Sequence, residues 1–204
     1  MKKILTDWKF IIGYVLALAC IYFSFDNPKV FWYYLTGTSL LLIAFSILNE
    51  EIDDQAPLGT YAFYGILSGF LIYGVFWVAN YVIQLADWTY FAKQVSRLYA
   101  KFAPESVWNF VVLILIIIPA EELFWRGFIQ KRLMKSVPVW LSIIIASILY
   151  ASVYFFTDYP ILILASLTGG VFWGILYAWK RSIPLVILSH VIFDLLLFIF
   201  LPLV

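Results

Sequence analysis

The sequence predicts an all-α protein, a polytopic transmembrane helix bundle of about seven spans plus one interfacial amphipathic helix. Three observations carry that prediction. The 204 residues are 65% hydrophobic and only 12% charged, with a mean hydropathy of +0.98, whereas soluble domains are about half apolar and a quarter charged. The apolar residues come in runs of about twenty, enough for a helix to cross a hydrocarbon core of about 30 Å. The charges collect at the ends of those runs, as topology anchors. A net charge of +1 therefore carries no case for nucleic acid as a partner; the lipid bilayer is the expected one.

A basic start, Met1 to Lys9 with Lys2, Lys3 and Lys9, leads into a first span over about 10–25, closed by Asp26-Asn27-Pro28. That run has no small-x-small cleavage site after it and reads as an anchor. Cys20, within it, reads as a small core residue with no second cysteine to pair with. The second span covers about 30–48. Glu50-Glu51-Ile52-Asp53-Asp54-Gln55, ending at Pro57, has four carboxylates but no glycine-turned loop, and reads as a solvated linker rather than a cation site. The third span, about 58–85, is long enough to tilt, and Gly65, Gly69 and Gly74 at nearly helical spacing predict close approach of a neighbour.

Residues 87–106 behave differently. Phe91, Val95, Leu98, Tyr99 and Phe102 share one helical face, while Lys93, Arg97 and Lys101 form a stripe at every fourth position. Such a helix lies in the headgroup plane, as a plain connector or, on a sharper reading, as a lid or docking surface beside a site. The fourth span covers about 107–128, followed by Lys131, Arg132 and Lys135; the fifth covers about 137–156, the sixth about 161–179 and the seventh about 184–203. Residues 1–106 are then the N-terminal spans with the interfacial helix, and 107–204 a core carrying the polar motifs, in one integral membrane unit. The excess of basic residues predicts a multi-pass protein of the cell membrane with a cytoplasmic N-terminus. Lys2, Lys3, Lys9, Lys131, Arg132, Lys135, Lys180 and Arg181 lie inside; Lys29, Lys93, Arg97 and Lys101 lie outside.

Within the fourth span stands Pro119-Ala120-Glu121-Glu122-Leu123-Phe124-Trp125-Arg126-Gly127. A charge at the centre of a membrane helix costs roughly 2.5–3.5 kcal/mol on insertion scales, so three in six positions mark a site. Glu122 and Arg126, four apart, can neutralise each other. Glu121 is turned about 100° away and is the carboxylate left for chemistry. His190, the one histidine, and Asp194 share a face of the last span. Counted from their loops at about 1.5 Å per residue, Glu121 and Tyr154 stand at similar heights. His190 lies roughly 12 Å from its loop against roughly 24 Å for Glu121. The two meet only if the hairpin of spans four and five projects further.

Glu121-Glu122-Leu-Phe-Trp-Arg126-Gly127 resembles the EExxxR motif of the CPBP family, also called the Abi or type II CAAX prenyl protease family. His190-Val-Ile-Phe-Asp194 resembles that family's last motif, and Gly169-Gly170…Gly174…Tyr177…Arg181-Ser182-Ile183-Pro184 is similar in spacing. The resemblance runs over about 107–203. It implies an intramembrane endopeptidase: a helix bundle around a water-filled cavity, a peptide or membrane-protein substrate, Glu121 as general base, and His190 with Asp194 orienting substrate or holding the oxyanion. The chain departs from the family pattern at Tyr150 and Tyr154, where an aromatic residue and a histidine are usual. Tyr154, with an unperturbed pKa near 10, can donate a hydrogen bond but is a poor base. One histidine is a thin ligand set for zinc, which commonly takes three protein ligands. A divalent metal such as zinc would need Glu121 or Glu122, His190 and Asp194, and the expectation is no cofactor. The missing histidine also supports a catalytically degenerate member acting as a bacteriocin-immunity or partner-binding protein. A proton-relaying transporter is the third reading, without the paired interrupted spans such proteins show.

Overall fold

The computed structural model describes residues 6–204; Lys2 and Lys3, two of the charges assigned to the inner face, lie outside them. The described residues form eight helices and one isolated antiparallel bridge, Asp54 to Ser182. Helix α1 (Trp8–Asp26) is capped by Asp7, whose carboxylate accepts from the Lys9 and Phe10 N–H groups. After a tight turn at Pro28–Val30 come α2 (Phe31–Asn49), α3 (Leu58–Leu85) and the short α4 (Thr89–Phe102). A capping box between Ser106 and Asn109 opens α5 (Val107–Met134). Then follow α6 (Val139–Ser152), α7 (Pro160–Lys180) and α8 (Ile183–Phe200).

Six of these, all but α4 and α6, are long and apolar enough to cross a membrane. Outward-facing Leu67, Phe70, Leu71, Trp77 and Val78 on α3 show the apolar exterior such a bundle needs. The expected fifth span is the exception. Helix α6 has 14 residues, about 21 Å of helix at about 1.5 Å per residue, short of a hydrocarbon core. The apolar run continues through Val153, Phe155 and Phe156, but the chain turns there, Thr157 N–H bonding back to the Tyr154 carbonyl, and Pro160 then starts α7.

The acidic loop is more than a solvated linker: Glu51, Ile52, Asp54 and Gln55 are exposed, but Glu50 and Asp53 turn inward. Asp53 accepts from Lys131 Nζ at 2.7 Å and from the Tyr177 hydroxyl at 2.7 Å, with Arg181 at 3.0 Å. Glu50 pairs with Arg132 at 3.0 Å and Lys135 at 2.8 Å, and Arg132 also holds Asp7. The Ser182 hydroxyl donates to Asp54 at 2.8 Å, and backbone bonds join Ile183 to Asp53 and Gln55 to Arg181. The loop is thus a clasp across the ends of α1, α5, α7 and α8. Burial alone would raise the Asp53 pKa, but the hydrogen bonds from Lys131 and Tyr177 and the charges of Arg181 and Lys131 hold it below its ordinary value. A depressed folded pKa stabilises the fold fully above the unfolded value near 3.9, and that stabilisation is lost as pH falls from there through the folded value. Thermal unfolding in detergent should therefore show an acid-side loss in the native protein that is smaller in Asp53→Asn, where Asp7 on Arg132 still contributes. At neutral pH Asp53→Ala should cost roughly 1.5–3 kcal/mol, the range for hydrogen bonds to charged groups. Identical acid profiles for native and Asp53→Asn would show that the Asp53 charge contributes nothing.

Two of the three glycines singled out on α3 make the predicted close approach. A Cβ on Gly65 would lie 2.8 Å from the Leu188 side chain, and one on Gly69 would lie 2.6 Å from Ile192 and 2.8 Å from the Ser189 carbonyl, so α8 packs directly on the α3 backbone. Gly74 is different: nothing lies within 4 Å of its Cβ position, because the close approach ends before it. Helix α4 sits at the end opposite the clasp. Its Tyr99 hydroxyl donates to the Leu197 carbonyl at 2.8 Å and accepts from the Leu203 N–H at 3.2 Å. Lys93, Arg97 and Lys101 stay exposed on its far face.

Candidate active site

Helix α5 is not a regular α-helix. It widens into π-helical turns at Leu113–Ile117 and Leu123–Gln130, on either side of Pro119. Proline has no N–H for the carbonyl four residues back, and π turns inside helices recur at functional sites. Glu122 and Arg126 nevertheless meet, Nη1 to Oε1 at 3.1 Å, both fully buried. The other Arg126 nitrogen, Nη2, donates to the Gly169 carbonyl at 3.1 Å. A Cβ at Gly169 would lie 2.7 Å from the Trp173 ring, so this glycine leaves room for that indole while its carbonyl holds the arginine.

His190 comes closest to Glu122 rather than to Asp194. Its Nδ1 lies 2.7 Å from the Glu122 Oε1 that also binds Arg126. Since that oxygen is a carboxylate acceptor, Nδ1–H is the donor, and Nε2 turns to the other side. There Glu121 Oε2 and Asp194 Oδ2 each stand 3.9 Å away. The Tyr150 hydroxyl donates to Glu121 Oε2 at 2.9 Å. Tyr154 sits beyond it, its ring edge-on to that of Tyr150 at 6.0 Å. Trp173 stacks on His190 with centroids 3.8 Å apart and is itself held by Nε1–H donating to Ser189 Oγ at 3.1 Å.

The heights agree for the reason the loop counts required. Lys131 and Arg181 both hold Asp53, so they stand level. Glu122 is nine residues before the first (131 − 122) and His190 nine after the second (190 − 181). The last turn of α5, to Met134, projects past that level.

Glu121 and Asp194 open onto a cavity of about 290 Å³ between the α1–α2 hairpin, α4, α5, α7 and α8. The apolar face of α4, with Val95, Leu98, Tyr99 and Phe102, roofs it. The Glu121 side chain is 20% exposed there against 0% for Glu122. Glu121, His190 and Asp194 converge, yet among the described residues no group of three or more His, Cys, Asp or Glu is arranged to hold a metal ion. Local pattern did not select Tyr150 as the hydroxyl on Glu121, nor Trp173 or the Gly169 carbonyl. The one available signal was the spacing of Gly169 and Trp173, four apart on one helix face.

Ionisable side chains brought together inside a bundle of apolar helices define a multi-pass membrane protein with a buried acid–imidazole centre. Residues 103–196 match the family model described as Rce1-like, type II CAAX prenyl endopeptidase Rce1-like. That segment, a little under half of the chain, holds Glu121, Glu122, Arg126, Tyr150, Tyr154, His190 and Asp194, so the resemblance to the CPBP family is borne out there, and the match supports a CAAX-protease-like membrane protein. The chain matches no curated protein and no solved structure.

Proposed function

We propose that the protein is an intramembrane endopeptidase of the cell membrane, with its clasped, N-terminal end on the cytoplasmic face, in which Glu121 activates water for peptide-bond hydrolysis. One observation carries this: of two adjacent glutamates, Glu121 alone faces the cavity, while Glu122 is spent on Arg126 and His190. Glu121 takes a proton from water, and the hydroxide adds to the peptide carbonyl carbon. Negative charge then gathers on the carbonyl oxygen. With Nδ1–H committed to Glu122, His190 presents Nε2–H to that oxygen as imidazolium, with Asp194 beside Nε2. When the tetrahedral species collapses, the C–N bond breaks and the proton held by Glu121 passes to the leaving amine. Tyr150 orients Glu121 through their hydrogen bond, with Tyr154 behind it.

The test is direct. Reconstituted in vesicles with a pool of apolar peptides, the native protein should release new amino termini. If Glu121→Ala and His190→Ala both keep full biological activity at normal protein levels, the peptidase reading is wrong. One imidazole beside two carboxylates suits water activation without a metal, so EDTA should leave the rate unchanged; loss restored by zinc would instead assign Glu121, His190 and Asp194 as its ligands. Tyr154, standing where the family usually has histidine, favours a second reading, a catalytically degenerate immunity or partner-binding protein. Tyr154→His should raise the rate of peptide release about tenfold, a tenth of the roughly 10²-fold that a positioned general base supplies at the low end. No change would make that position structural.

A further inference from the structure

We propose that a second cleft, at the end of the bundle opposite the clasp, binds the zwitterionic headgroup of a phospholipid, an ammonium tethered to a phosphate. This binding is independent of any hydrolysis at Glu121. The cleft, of about 320 Å³, lies between the last turn of α1, the end of α4 and the turn joining α6 to α7. That volume falls at the small end of ligand sites, roughly 300–1,000 Å³, and suits a headgroup rather than a folded partner. Among the described residues, its charged lining groups are Asp26, Asp158 and Lys101. In the clasp the inward-turned charges are spent on one another. Here no side-chain hydrogen bond or ion pair joins any of the three to another described residue; Lys101 lies over the Tyr159 ring and the two carboxylates are open.

Each charge suits one half of such a ligand. Asp26 is the last residue of α1, and no basic residue stands in that turn. It therefore adds to the negative end of the helix dipole, where a cation is favoured. Asp158 lines the same cleft from the α6–α7 turn, so an ammonium there meets two carboxylate acceptors. Aromatic rings add to this, since their faces draw cations. Tyr22 stands edge-on to Phe156 at 6.5 Å, and Lys101 Nζ is already 5.9 Å from the centre of the Tyr159 ring. As the cleft's positive charge, Lys101 serves the phosphate. The surroundings favour a lipid as the source. Lys101 belongs to the amphipathic α4, a helix of the kind that lies in the headgroup plane. Tyr22 and Phe156, 51% and 66% exposed at the rim, suit the boundary between headgroups and acyl chains.

Native mass spectrometry of the full chain in detergent micelles reads the retained lipid. Phosphatidylethanolamine and phosphatidylglycerol, with identical acyl chains, are added in separate samples. The first should be retained about fivefold more, the factor that one exposed charge contact supplies near the top of its range. Asp26→Asn combined with Asp158→Asn removes both carboxylate charges and should bring the two lipids level. Both side chains are exposed, so the unfolding temperature should not move. Lys101→Gln should weaken retention of both lipids, through the phosphate they share. Lys93→Gln, exposed on the same helix but outside the cleft, should change neither. Glycerophosphoethanolamine, the headgroup without its chains, identifies the source. If it fails to displace the lipid at matched concentration, the site belongs to lipid. Displacement as effective as by the lipid itself would assign the cleft to a soluble compound and overturn the lipid. Equal retention of the two lipids by the native protein, or a preference that survives the paired asparagine substitutions, overturns the proposal.

Discussion

Glu121→Gln lowers peptide release by about 10²–10⁴-fold, the range a positioned general base supplies, while the unfolding temperature stays close to that of the native protein. The two halves of that expectation have separate causes. Glutamine fills the same volume, and its carbonyl oxygen can still accept from the Tyr150 hydroxyl, which now reaches Glu121 at 2.9 Å. It cannot take a proton from water. The side chain faces the cavity and is partly exposed, so losing its charge leaves no buried cation stranded. Release rates from a peptide that the native protein cuts, measured beside thermal unfolding in the same detergent, separate chemistry from folding. A Glu121→Gln protein that cuts at the native rate would remove Glu121 from the chemistry.

Much of the fold could be read because membrane helices declare themselves by run length and by charges at their ends. The bounds of α3 match the third span read from the sequence, and the stripe of Lys93, Arg97 and Lys101 does lie on the outer face of an amphipathic helix. What stayed hidden was non-local. Hydropathy cannot tell helix from turn at Val153–Phe156, so α6 reads as longer than it is. Asp53 reads as solvated because its partners Lys131, Tyr177 and Arg181 lie 78 or more residues away. The motif spacing put Glu122 on Arg126 and His190 near Asp194. Nothing local indicates that Glu122, 68 residues from His190, takes the tightest contact with the imidazole. Packing between α5, α7 and α8 makes that choice, with Trp173 stacked against the ring and Gly169 clearing space for the indole.

That contact makes Glu122 the residue whose loss should cost the fold most. Glu122→Ala strands two donors at once: Arg126 Nη1, at 3.1 Å from Oε1, and His190 Nδ1, at 2.7 Å. Arg126 would keep only the Gly169 carbonyl, in a place where it is 1% exposed. Breaking a buried ion pair by removing one partner typically costs about 3–5 kcal/mol, because the surviving charge is left unpaired. The expected result is a lower yield of monodisperse protein and a large drop in unfolding temperature. The cause can be separated from simple cavity formation. Replacing Arg126 by methionine in the Glu122→Ala background removes the stranded charge and should recover part of the loss, a coupling that a double-mutant cycle reads directly. Glu122→Gln keeps an acceptor oxygen for both donors and should fall between native and Glu122→Ala. A Glu122→Ala protein that folds at native yield yet fails to cut peptides would exchange the parts assigned to the two glutamates, with Glu122 in the chemistry and Glu121 in support.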